Sequence, residues 1–159
     1  MSKVEDRLAE LGLTVPPLVA PVAAYTPAKK DGKRIYVSGQ LPMVDGAPTR
    51  TGKVGAGEGL VTPEQAKECA QICALNAIAA IKSVVGDLDR VTSVVKLGGF
   101  VASDPSFSGQ PGVINGASDL FAAAFGDAGV HARAAVGVAA LPLDVPVEVE
   151  VIVAFDDEG

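Results

Sequence analysis

Hydrophobic positions along the chain recur with two periods, 3.6 and 2, and the alternation divides it into elements. Val4, Leu8 and Leu11 share one helical face behind Ser2 and Glu5, a Ser-x-x-Glu capping box, so a short helix is predicted over 2–11 and Gly12 ends it. Val15-Pro16-Pro17 forces an extended link. Residues 18–28 read as an irregular first strand interrupted by Pro21 and Pro27. Asp31-Gly32 is a turn, Arg34–Gln40 a strand, Val44-Asp45-Gly46 a further turn, and 49–60 a Gly-rich loop. Thr62-Pro63-Glu64-Gln65 combines an N-cap, a proline at the first helical position and a capping-box glutamine. The helix it starts runs to Val85 and stops at Gly86, with Ala66, Cys69, Cys73, Ala77, Ala80, Ile81 and Val84 as an inward stripe. Val91–Ala102 reads as a strand in which Gly98-Gly99 marks a bulge or a close approach. A second helix over 111–125 turns Ile114, Ala117, Leu120, Phe121 and Phe125 inward, with Gly126 as its stop. Two Val- and Ala-rich runs, flanking Leu141-Pro142-Leu143-Asp144-Val145-Pro146, are the last two strands.

Strands with helices between them argue for an α+β domain: one mixed sheet with two main helices on one face. The other face also carries apolar residues and wants a partner. A chain of 159 residues fits one domain over 1–159, with an N-terminal helical extension at 1–17 and the Gly-rich loop at 45–61. Composition changes the picture in one respect. Ala, Val and Gly dominate and Trp is absent, so the core is built from small side chains and depends on close backbone approach.

Charge and cysteine usage exclude several classes. A net charge of −6 without a Lys/Arg run argues against tracking a phosphate backbone. Cys69 and Cys73, four apart on a helix, read as two small buried hydrophobes. A metal site would need two further ligands in a chain with a single histidine. The expected setting is a reducing cytoplasm, with no apolar leader and no uninterrupted apolar run of membrane-spanning length. Gly52-Lys53-Val54-Gly55 lacks the Walker spacing and reads as a flexible loop.

The chemistry concentrates between His131 and Phe155. Arg133 opens the penultimate strand; Glu148 and Glu150, two apart on the last, project from one face while Val147, Val149 and Val151 take the other. A guanidinium there either clamps a substrate carboxylate bidentately or pairs with Glu148 or Glu150. His131, at a loop edge, reads as a packing or solvated residue in preference to a general base.

Arg133-Ala-Ala-Val136, Leu141-Pro142 and Val147-Glu-Val-Glu150, together with Tyr36-Val-Ser-Gly-Gln-Leu-Pro42, resemble the motifs of the YjgF/Rid family, the reactive intermediate deaminases, across residues 20–155. The resemblance implies a chorismate-mutase-like fold that forms a homotrimer, sheets facing inward around a threefold axis, with sites at subunit interfaces. By position, Arg133 matches the substrate-carboxylate anchor and Glu148 the water-orienting glutamate, with Glu150 left for interface ion pairing. Tyr25 matches the pocket tyrosine, Ser38 and Gly39 the strand end whose backbone meets substrate, and Asn115 the helix-borne asparagine. Ala135 stands where many members have a cysteine, leaving only a backbone amide. The implied activity is hydrolysis of 2-imino or 2-enamino acids to 2-keto acids and ammonia, with no metal or organic cofactor. A non-catalytic trimer binding a small carboxylate metabolite is the alternative. Endoribonuclease activity, also attached to the family, is disfavoured by the acidic charge and the lack of basic or aromatic platforms. The chain is longer than the short, catalytically typical members.

Overall fold

The two capping boxes are formed as the sequence predicts and fix where helices begin. In this computed structural model, which describes residues 1–18, 21 and 23–157, Ser2 and Thr62 accept from the amides of Glu5 and Gln65, whose side chains reach back to the Ser2 and Thr62 amides. Helix α1 (Lys3–Glu10) buries Val4 and Leu8, and the Asp89 carboxylate accepts from the Lys3 and Val4 amides at 2.9 and 3.3 Å. Glu5 also pairs with Lys82 of helix α2 (Pro63–Val85), and that contact holds its carboxyl well below the usual range. The extension therefore docks on the body of its own chain.

Five strands form the main sheet: β1 (Ala28–Asp31), β2 (Arg34–Gln40), β5 (Val91–Ala102), β6 (Ala132–Val138) and β7 (Val147–Phe155), in the order β1-β2-β7-β5-β6. Only β5 and β6 run parallel, joined through helix α3 (Gln110–Phe125), so the sheet is mixed. Helices α2 and α3 cover one face. Val147, Val149, Val151 and Val153 of β7, with Leu97 and Val101 of β5, point into the core beneath them. A separate hairpin, β3 (Met43–Val44) and β4 (Ala47–Pro48), turns at Asp45-Gly46. Both turn residues have positive φ, which suits a two-residue hairpin turn.

Three expectations are corrected and one alternative is decided. The first strand starts only at Ala28, because the prolines before it have no N–H to pair; residues 19, 20 and 22 lie outside the described residues. The Gly-rich loop is pinned: Val54 is fully buried and bridges both Val61 and Ser103. Gly98-Gly99 is a close approach and not a bulge, for a Cβ at Gly99 would strike Ile114 of α3. The register breaks lie instead between Val37 and Gln40 of β2 and earlier in β5, between Val91 and Ser93 and between Val94 and Lys96. On α2, Val85 and not Val84 completes the buried stripe.

Small residues set the spacing of the helices. A Cβ at Gly116 of α3 would overlap the Lys67 carbonyl oxygen of α2, whereas one at Gly112, two residues into the same helix, would meet nothing within 4 Å. Gly116→Ala is therefore expected to destabilise by about 1–3 kcal/mol through overpacking, despite alanine's better helix propensity. Gly112→Ala should instead stabilise by roughly 0.5–1 kcal/mol. Urea unfolding of both variants reads the opposite signs.

Candidate functional site

Arg133 sits on the face of β6 that carries Leu97 of the neighbouring strand into the core, so its side chain runs under α3. There Nη1 donates to Asn115 Oδ1 at 2.8 Å and to Ser118 Oγ at 3.0 Å, and Nη2 donates to the Pro111 carbonyl at 3.2 Å. All three acceptors are neutral. Among the described residues no carboxylate lies within 4.0 Å of the guanidinium, so its charge is oriented and not neutralised. Of its five N–H groups, the Nε–H and one on Nη2 have no acceptor among the described residues. A guanidinium's Nε–H and an Nη2–H can together meet a carboxylate bidentately.

Glu148 occupies the other face. In the β5–β7 register it pairs with Phe100, and Glu150 with Gly98, while Val147 and Val149 point into the core. The carboxylate of Glu148 lies over Gly39 in the register break of β2; a Cβ on Gly39 would overlap Oε1 and stand 2.9 Å from Cδ. Gly98 plays the same part for Glu150, where a Cβ would stand 2.9 Å from Cγ. Glu148 is half-buried and, among the described residues, forms no ion pair. Burial first, and the neighbouring charge of Glu150 second, push its carboxyl above the ordinary range.

The expected alternative of an Arg133–Glu148 or Arg133–Glu150 ion pair within the chain is excluded by the sheet, which separates the arginine from both carboxylates. The remaining predicted residues divide between the two faces. Asn115 is joined to Arg133, and Ala135, two residues on along β6, is half-buried against the core on that same side. On the other, Gly39 cradles Glu148. Ser38 beside it donates its hydroxyl to the Thr26 carbonyl at 2.7 Å and its amide to Pro27. Tyr25, next to Thr26, leaves its side chain 57% exposed. His131 is half-buried, with its ring edge-on to Phe121. Sequence reasoning missed Ser118 altogether; its spacing of three from Asn115, which puts both on one side of α3, is the signal that marks it.

A mixed five-stranded sheet, helices on one face and an open second face, defines a chorismate-mutase-like fold. The family described as "YjgF/chorismate_mutase-like, putative endoribonuclease" matches residues 5–154, and the chain belongs to it. A Trypanosoma cruzi protein named Protein TCP17 is 42% identical over 156 residues, covering 98% of this chain and 96% of its own. The structure of Atu1372 from Agrobacterium tumefaciens, of unknown function, is 45% identical and superposes with a TM-score of 0.89 over 97% of this chain and 93% of its own. RidA from a Psychrobacter species is 31% identical, with a TM-score of 0.58 over 87% of this chain and 94% of its own.

The Glu148 carboxyl is expected to titrate above the ordinary glutamate range in a carbon-detected NMR titration. The negative charge of Glu150 opposes its ionisation, so Glu150→Gln should move the midpoint to lower pH, only part of the way because burial remains.

Proposed function

We propose that the protein hydrolyses reactive 2-imino or 2-enamino acids to 2-keto acids and ammonia, in clefts between the subunits of a homotrimer. The observation that carries this is the division of the site: an oriented, unneutralised guanidinium on one sheet face and a half-buried carboxylate without a cation on the other. Each half lacks what the other has, and β6 is an edge strand, so a second copy whose open sheet face lies beside that edge would supply both.

In such a cleft Arg133 holds the substrate carboxylate by the free edge of its guanidinium, with Asn115 steadying it. Glu148 holds a water against the imine carbon, takes one proton as the C–O bond forms and passes it to the nitrogen, then takes the hydroxyl proton of the resulting carbinolamine and passes it to the same nitrogen as the C–N bond breaks. Water and imine thus become ketone and ammonia without a net change at Glu148. A carboxyl raised above its usual range suits this two-way transfer. An imine carbon is already electrophilic, so no metal or organic cofactor is required. Tyr25 lines the cleft, and the backbone at Ser38, Gly39 and Ala135 meets the substrate. The two free cysteines, Cys69 and Cys73, suit a reducing cytoplasm.

The test is release of ammonia from an imine generated in situ by an amino-acid oxidase. Arg133→Lys keeps the charge but loses the fork, and is expected to weaken 2-keto acid binding by about 1.5–3 kcal/mol, one to two decades in Kd. Glu148→Gln should keep that binding and lose hydrolysis. Mixed trimers of the two variants should be more active at low substrate than either variant alone, because some clefts then combine an intact Arg133 with an intact Glu148. Monomers in light scattering, or no recovery on mixing, would refute the shared cleft. Tight 2-keto acid binding without ammonia release would leave a non-catalytic metabolite-binding trimer.

A further inference from the structure

We infer that Ser118 and His131 are positioning residues for Arg133, forming a relay that fixes which edge of the guanidinium is presented to a carboxylate. The inference rests on Arg133 acting as the carboxylate anchor, and adds two residues to it.

The proton positions follow from the partners. His131 Nδ1 lies 2.6 Å from the Gly129 carbonyl, which can only accept, so Nδ1 carries the proton. In the neutral ring Nε2 is then an acceptor, and the Ser118 hydroxyl 2.9 Å away donates to it. With its one proton committed, Ser118 Oγ turns its lone pairs to Arg133 Nη1 at 3.0 Å. Asn115 takes the second proton of that nitrogen. Both protons of Nη1 are thus occupied from the α3 side, and the donors left open for a carboxylate are Nε–H and one proton of Nη2.

The local fold makes this arrangement rigid. Asn115, Ser118 and Phe121 follow one another at intervals of three along α3, so they line one side of the helix facing β6. Phe121 is fully buried, and its ring meets His131 edge-on with centroids 6.2 Å apart. The imidazole is thereby held by a ring and a main-chain carbonyl. Without it, the Ser118 hydroxyl is free to rotate and offer its proton, in place of a lone pair, to Nη1.

Pyruvate is the probe for Kd by calorimetry, and 2-iminopropionate generated in situ is the substrate whose ammonia release gives kcat and KM. Ser118→Ala and His131→Phe, the latter keeping a ring against Phe121, are each expected to raise Kd and KM about three- to tenfold and leave kcat within twofold. The double variant should bind no more weakly than Ser118→Ala alone, because His131 acts through that hydroxyl. His131→Gln, whose amide oxygen can accept in place of Nε2, should recover most of the affinity. Ser118 is not part of the buried core and alanine is a good helix former, so that variant retains the fold. Unchanged affinity in Ser118→Ala, while Arg133→Lys loses binding, would overturn the relay and leave the anchor intact; additive losses in the double variant would overturn the coupling. Failure of the unmodified protein to bind pyruvate would overturn the anchor and the relay together.

Discussion

The thickness of one β-sheet stands between the two charged groups on which any chemistry here depends. Arg133 faces the helices and Glu148 faces away from them, and register fixes both. Arg133 lies opposite Leu97 and Glu148 opposite Phe100, on strands flanking β5. Side chains alternate with period two, so a slip of one residue in either pairing would send its charge to the wrong face. The buried valines of β7 prevent that slip, since it would place four of them in solvent and the glutamates in the core. Packing that keeps the fold in register is thus the same packing that aims the functional groups.

Glycine and alanine perform a second task that composition alone does not disclose. Gly39 and Gly98 clear the space in which Glu148 and Glu150 lie against the backbone, and Gly99 and Gly116 let α3 approach the sheet and α2. The approach of α3 carries Asn115 and Ser118 within hydrogen-bonding distance of Arg133. A core of larger residues would hold the helix further off and leave the guanidinium without its neutral acceptors.

Helix starts, both long strands of the second half and the inward faces were legible because each rests on local chemistry: a cap, a proline or an alternation within the segment. Arg133, Glu148, Gly39 and Asn115 were marked by motif resemblance, but which of them meet was not, since contact across a sheet depends on pairing partners far apart in sequence. The salt bridge drawn between Arg133 and the glutamates illustrates the difficulty: strands adjacent in the chain are separated in space by β5. Ser118 was missed because its one signal, a spacing of three from Asn115, gains meaning only once Asn115 is known to face Arg133. Val54 misled in the opposite direction, as glycines on both sides disguised a buried anchor as a loose loop.

Helix α2 has a further consequence for the protein's life outside its folded state. At 23 residues it is about 34 Å long, and it buries an apolar stripe of small residues against the sheet and α3. Only its packing on the sheet and on α3 hides that surface. Once heat releases it, the chain exposes that apolar stripe, a surface other copies can bury, so thermal denaturation should end in aggregates that do not redissolve on cooling. The intact fold acts, in effect, as its own chaperone for this segment, and newly made chains depend on closing the sheet over α2 before they find one another.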